Sequence, residues 1–257
     1  MTDALSANGA IVRQHDPDRF LCALFAPPER REALFTLYAF NHELARAREV
    51  TSEPTLALIR LQWWREVVEG AARRHEVATP LSALLAEGAL DRADLLAMIE
   101  GREMEADPAI PTMADFMAYA RQSGGHLAAA AGALLGADGA GRERLLALGT
   151  GYAMAGVLRR APALAREGRC LLPEDMLAAQ GLCVHDAIAR PDAADLGGLI
   201  GTARAMLADR HAWPRPVIAA ALPAVLARRD LAHGLAPRPR GIGDRLAVLG
   251  AYVRGRA

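Results

Sequence analysis

The chain has 257 residues, 52% of them apolar, with 30 Lys plus Arg against 30 Asp plus Glu. That length allows one large domain or two small ones, and the apolar share supports a substantial core. Formal neutrality removes any global argument for nucleic acid as a partner. Ala and Leu dominate while Thr, Ile, Tyr and Phe are sparse, a balance that favours helices over strands. Cys22, Cys170 and Cys183 lie far apart with no CxxC and read as buried free thiols in a reducing compartment. The start, MTDALSANGA, has neither a basic n-region nor an apolar h-region. The longest apolar runs, Leu127 to Ala137 and Val217 to Ala227, are about half of what a bilayer requires. A cytoplasmic protein is expected, with peripheral membrane contact left open.

In chain order, Asp16 and Asp18 precede FLCALFAP, a short helix stopped by Pro27 and Pro28. Pro28 suits the first turn of a helix from Glu29 to about Val50, which breaks near Ser52, Glu53 and Pro54. Leu58, Leu61, Trp64, Val67 and Val68 repeat at helical spacing, predicting a helix from Leu56 to about Arg74. Pro80 opens a helix through Leu85, and Asp91 caps another to about Met104. Thr112 starts a capped helix that runs through a small-residue stretch to Gly136. Gly141 to Arg166 reads as one long helix, where Pro162 predicts a kink or an early end. Pro173, Glu174 and Asp175 start a short helix ending near Gly181. Further helices are expected within Asp192–Trp213, from Pro216 to about Leu231, and over Ile242–Arg254, with a Pro/Arg/Gly loop at Gly234–Gly241. No segment alternates with period two. The expectation is a single all-α domain over 1–257, with residues 1–15 open to disorder.

Two stretches carry the chemistry. Tyr38 to Glu49 reads YAFNHELARARE, and Gly156 to Pro173 reads GVLRRAPALAREGRCLLP. They resemble the two signatures of the squalene/phytoene synthase family, roughly YAFCRxxDDxxD and NILRDVxxDxxxGRxYLP. Val157, Leu158, Arg159, Gly168, Arg169, Leu172 and Pro173 fall in register with the second. Met98 to Asp107 resembles a third family helix, with Glu105 at its acidic position. Tyr119 and RQSGGHLAAAAGALLG resemble the Tyr-containing helix and its small-residue segment. The likeness spans about Asp16 to Arg254. It implies an isoprenoid synthase fold, a helical bundle around a central apolar cavity. It also implies head-to-head condensation of two prenyl diphosphates to squalene or phytoene with magnesium.

Magnesium takes hard oxygen ligands, so such chemistry needs carboxylates on two facing helices. Here the aligned acidic positions are Ala45, Arg46 and Glu49 in the first motif and Arg160 and Leu164 in the second. The aligned Asn is Gly156 and the aligned Gln is Ala153. Only Glu49 and Glu105 remain acidic at matched positions, so no metal site is expected, magnesium entering only if synthase activity survives. The stretch IRLQWWRE also resembles a branch of the family that includes a mitochondrial complex I assembly factor. The expected function is a family member without synthase activity, binding an isoprenoid or lipid or assisting assembly of a respiratory complex. An active prenyltransferase is the alternative.

The remaining polar residues allow two readings. Arg46, Arg159, Arg160 and Arg169, with Tyr38 and Glu43 nearby, would ring a metal-free pocket for a prenyl phosphate or anionic lipid. Alternatively these arginines pair with Glu43, Glu49, Glu103 and Glu105, and the presence of both signs at matching positions weighs toward pairing. Other enzyme classes find no support, because HExxH, GxSxG, Walker A and GxGxxG are all absent.

Overall fold

A computed structural model describes residues 5–51, 53–235 and 239–257. Among the described residues every regular element is helical, and one isolated parallel bridge joins Ile110 to Pro173. The helices are α1 Ala7–His15, α2 Pro17–Ala23, α3 Pro28–Glu49, α4 Pro54–Glu69, α5 Ala78–Ala86 and α6 Arg92–Glu103. They continue with α7 Met113–Ala120, α8 His126–Leu134, α9 Gly139–Arg166, α10 Glu174–Ala179 and α11 Val184–Ala189. The last four are α12 Gly197–Met206, α13 Ile218–Ala221, α14 Pro223–Ala232 and α15 Ile242–Arg254.

Local chemistry sets most boundaries. Pro28 opens α3, and Pro17 opens α2 behind an Asp16 side chain that accepts from the Arg19 amide. Thr112 and Asp115 form a reciprocal capping box on α7. The helix expected to reach Arg74 stops at Glu69, because Gly70 takes a left-handed conformation (φ 117°). α9 runs through Pro162 to Arg166, so the early end does not occur. The helix expected to run on from Thr112 is divided by a π-helical turn at Arg121–Gly125. Pro223 divides the Pro216–Leu231 segment into α13 and α14, and the Asp192–Trp213 segment narrows to α12. α11 was not anticipated.

Residues 7–15, within the stretch left open to disorder, form α1. Ser6 caps it, Asn8, Gly9 and Val12 are buried, and Asn8 donates to Thr36 Oγ1 on α3 at 3.0 Å. Residues 1–4 lie outside the described residues, as do 236–238 of the expected loop. Cys22 and Cys170 are buried, but Cys183 is exposed, its thiol donating to Asp186 Oδ2 at 3.0 Å at the start of α11. It faces solvent because it serves as the helix cap rather than as core.

α9 is the axis. α8, α12 and α14 pack around it, and α3 packs on α8, over one continuous apolar core. The closest crossing is between the π turn and α9. A Cβ on Gly124 would lie 2.6 Å from both the Gly149 carbonyl oxygen and Ala153 Cβ. Only glycine allows these backbones to touch, and that contact fixes how the second half of α9 faces α3.

Candidate functional site

The C-terminal halves of α3 and α9 face each other across a cavity of about 430 Å³. Asn41, Ala45 and Glu49 recur four apart and share one face of α3. Ala153, Gly156, Arg160 and Leu164 repeat at helical spacing along α9 and share the opposite wall. Of the seven positions aligned with family metal-binding or amide residues in the two motifs, six line this cavity. Arg46 does not: one residue on from Ala45, it turns away and pairs with Glu43 at 3.2 Å.

The charges inside are paired across elements. Glu105 follows α6 in a single 3-10 turn and is buried. It accepts from Arg102 at 2.6 Å, from Arg169 at 2.8 Å and from the Tyr119 hydroxyl at 3.0 Å. Arg160 reaches across to Glu49 at 2.9 Å. Arg159 pairs with buried Asp230 on α14 at 3.2 Å. Arg240 then bridges Asp230 (2.6 Å) and Asp18 (2.8 Å), closing a network between α2, α14 and the approach to α15. Arg19 pairs with Asp16 at 2.6 Å and lies over the Tyr152 ring at 4.6 Å. His15 and His42 stack with centroids 4.1 Å apart.

Protonation follows these contacts. Burial pushes the Glu105 carboxyl up, but the Arg102 and Arg169 guanidiniums outweigh that and hold it below the usual carboxylate range. Burial and the neighbouring Glu105 push the Tyr119 phenol up, so it stays a hydrogen-bond donor. Burial, reinforced by His15, lowers His42, which favours its neutral form.

A magnesium cluster does not fit these residues. Ala45 and Leu164 supply no oxygen, Arg160 supplies a cation, and Glu49 and Glu105 already hold guanidiniums. Among the described residues no three His, Cys, Asp or Glu side chains converge as a metal site. The lining is nonetheless cationic, with five arginines (Arg19, Arg102, Arg159, Arg160 and Arg169) against three carboxylates (Asp16, Glu49 and Glu105). Each guanidinium has five N–H donors, and the side-chain contacts of Arg159 and Arg160 engage one each.

The sequence-derived residues therefore separate. Glu49, Glu105, Arg159, Arg160 and Arg169 come together at the cavity. Arg46 and Glu43 lie off it. Tyr38 is also off it, because its ring is packed into the core beside a small void. Of the four arginines expected to pair within the set Glu43, Glu49, Glu103 and Glu105, three do so, as Arg46–Glu43, Arg160–Glu49 and Arg169–Glu105, whereas Arg159 takes Asp230 and Glu103 takes Arg65 at 2.8 Å. Arg102 was missed, although its place three residues before Glu105 on a helix was a readable signal. Arg19, Asp18, Asp230 and Arg240 gave no such signal, because their partners are distant in sequence. Trp64 is buried, while Trp63 is half-buried and lines a shallow groove with Leu58 and Ile59.

An all-α bundle with two facing motif helices around a cavity is the isoprenoid synthase fold, and solved structures agree. A dehydrosqualene synthase in complex with ligand superposes with a TM-score of 0.71 at 15% identity, covering 96% of this chain and 94% of that one. Squalene synthase HpnC from Alicyclobacillus acidocaldarius gives 0.66 at 18% identity, over 96% and 92%. The profile described as squalene/phytoene synthase matches residues 12–241, and the chain belongs to that family. The chain is also similar to NADH dehydrogenase (ubiquinone) complex I, assembly factor 6. The Mus musculus protein is 27% identical over 226 residues, 84% of this chain and 68% of that protein. The Homo sapiens protein is 42% identical over 59 residues, 23% of this chain and 18% of that protein.

Proposed function

We propose that this protein is a squalene/phytoene synthase relative without synthase activity. It keeps the cavity as a metal-independent pocket for an anionic isoprenoid or lipid, and acts as a binding or assembly protein in a reducing, cytoplasmic compartment. One observation carries the reading. Four of the five positions where the family holds aspartates on the two facing helices (Ala45, Arg46, Arg160 and Leu164) are neutral or cationic, and the two surviving acids, Glu49 and Glu105, are taken by Arg160, Arg102 and Arg169. Synthase chemistry depends on metals to stabilise the departing diphosphate, and both surviving carboxylates already hold guanidiniums in place of a metal. Arginine forks bind phosphate oxygens directly, so the cationic lining supports anion binding without magnesium.

Similarity to complex I assembly factor 6 favours a role in assembling a respiratory complex. Incubating the purified protein with farnesyl or geranylgeranyl diphosphate and magnesium tests the first claim. No squalene or phytoene is expected. Product formation that disappears in Glu49→Ala would overturn it. Deletion of the protein should lower respiratory complex I activity, and an unchanged activity would remove the assembly role.

A further inference from the structure

α15 is docked by one face and apolar on the other. Its inner face is fixed: Val248 and Ala251 are buried, and buried Asp244 accepts from Arg229 Nε at 2.7 Å. Its C-terminal end is fixed too. Arg215 donates to the Tyr252 carbonyl at 2.9 Å, and the Trp213 amide donates to the Gly255 carbonyl at 2.8 Å. The outer face carries Ile242, Leu246, Leu249 and Val253, exposed by 76%, 60%, 45% and 62%. Their spacing of four, three and four residues aligns them in a single stripe directly opposite the buried face. A helix docked on a globular core ordinarily turns polar residues outward, so this stripe is unexplained by folding.

Charge identifies what covers it. On the helical wheel Arg245 lies on one flank of the stripe and Arg254 on the other, with Arg256 just beyond the end. All three are exposed, and none has a carboxylate partner among the described residues. The sole acid of α15 is Asp244, on the buried face. A second copy of the chain seated here would bring arginine flanks against arginine flanks, which opposes self-association. An aliphatic stripe between basic flanks matches a membrane interface with anionic headgroups.

We propose that α15 is a membrane-docking element that lies flat on an anionic lipid surface. The four aliphatics enter the boundary between headgroups and acyl chains, and Arg245, Arg254 and Arg256 contact lipid phosphates. The helix lies on the bilayer rather than crossing it, since no helix among the described residues is long and apolar enough to span. The proposal is independent of the cavity reading and stands whether or not the cavity binds a ligand.

Co-sedimentation of the full chain with phosphatidylcholine vesicles, with and without phosphatidylglycerol, tests it. Binding should require phosphatidylglycerol and weaken as salt is raised. Leu246→Glu with Leu249→Glu should lower partitioning by about tenfold or more. Arg245→Ala and Arg254→Ala should each lower it by about fivefold. All four side chains are exposed, so circular dichroism and melting should match the parent. The arginine variants read the same surface without touching the stripe, should the double variant fold poorly. Absence of binding to anionic vesicles overturns the proposal, as does equal binding by parent and folded Leu246/Leu249 variant. A dimer that this variant dissociates, without vesicle binding, would assign the face to self-association instead.

Discussion

Glu105 sits between two guanidiniums and a phenol, with 6% of its surface exposed. Its neighbours include an Arg102 Nε that is itself buried without a hydrogen-bond partner. Such a site is costly to break from one side, because removing the carboxylate leaves two cations facing each other with little water. Glu105→Gln should therefore destabilise the protein by about 3 kcal/mol at neutral pH, measured by urea unfolding. The sign of the pH dependence follows from the depressed carboxyl. The unfolded chain takes up the proton first, so the stabilisation is full above the ordinary carboxylate range and fades as pH falls through the lower folded-state value. The gap between parent and Glu105→Gln should narrow on acidification. A loss below about 1 kcal/mol, or a gap that does not change with pH, would show that the triad contributes little beyond an exposed pair.

Among the elements, α9 must satisfy two demands at once. It touches the π turn with its backbone at Gly149, and three residues later, at Tyr152, it begins to line the cavity. Gly149 and Gly156 separate these roles. A Cβ on Gly149 would meet Ala128 Cβ at 2.6 Å and the Gly124 carbonyl closer still, whereas one on Gly156 meets nothing within 4 Å. Gly149→Ala should force the helices apart, lowering stability by about 1–3 kcal/mol. Gly156→Ala should leave stability unchanged or raise it by up to about 1 kcal/mol, through the helical preference of alanine alone. Thermal melts of the two variants check this, and equal effects would mean that the crossing is looser than its geometry. The same contrast explains what was legible. Capping boxes, proline starts and apolar spacing announce α3, α7 and most of α9, since those signals are local. The π turn, the end of α4 at Gly70 and the split at Pro223 depend on how neighbours pack. α1 was obscured because its buried face is made of Asn8, Gly9 and Val12 rather than large apolar residues.

Across the whole molecule, the cavity's charge balance is assembled from both ends of the chain. Arg240 and Asp18 are 222 residues apart, yet they join the ladder that holds Arg159 through Asp230. Sequence reading located Arg159, Arg160 and Arg169 because a motif frames them. It could not locate the partners that neutralise some of them and leave others with spare donors. Arg160 is the most telling: its side chain is 48% exposed and makes one contact, to a Glu49 that is itself 35% exposed. An anionic ligand can therefore displace or share that contact at small cost. If arginines alone hold the ligand, binding of farnesyl diphosphate should stabilise the fold equally with EDTA or with magnesium. At a ligand concentration of about 100 times Kd the gain is about 2.7 kcal/mol, a rise of roughly 5–10 °C in Tm for a chain of this size. Arg160→Ala, at an exposed position, should keep the parent's Tm without ligand and lose most of the rise. A shift that needs magnesium would mean the acids can still be recruited to a metal, and no shift with any prenyl diphosphate would mean the ion pairs have closed the pocket.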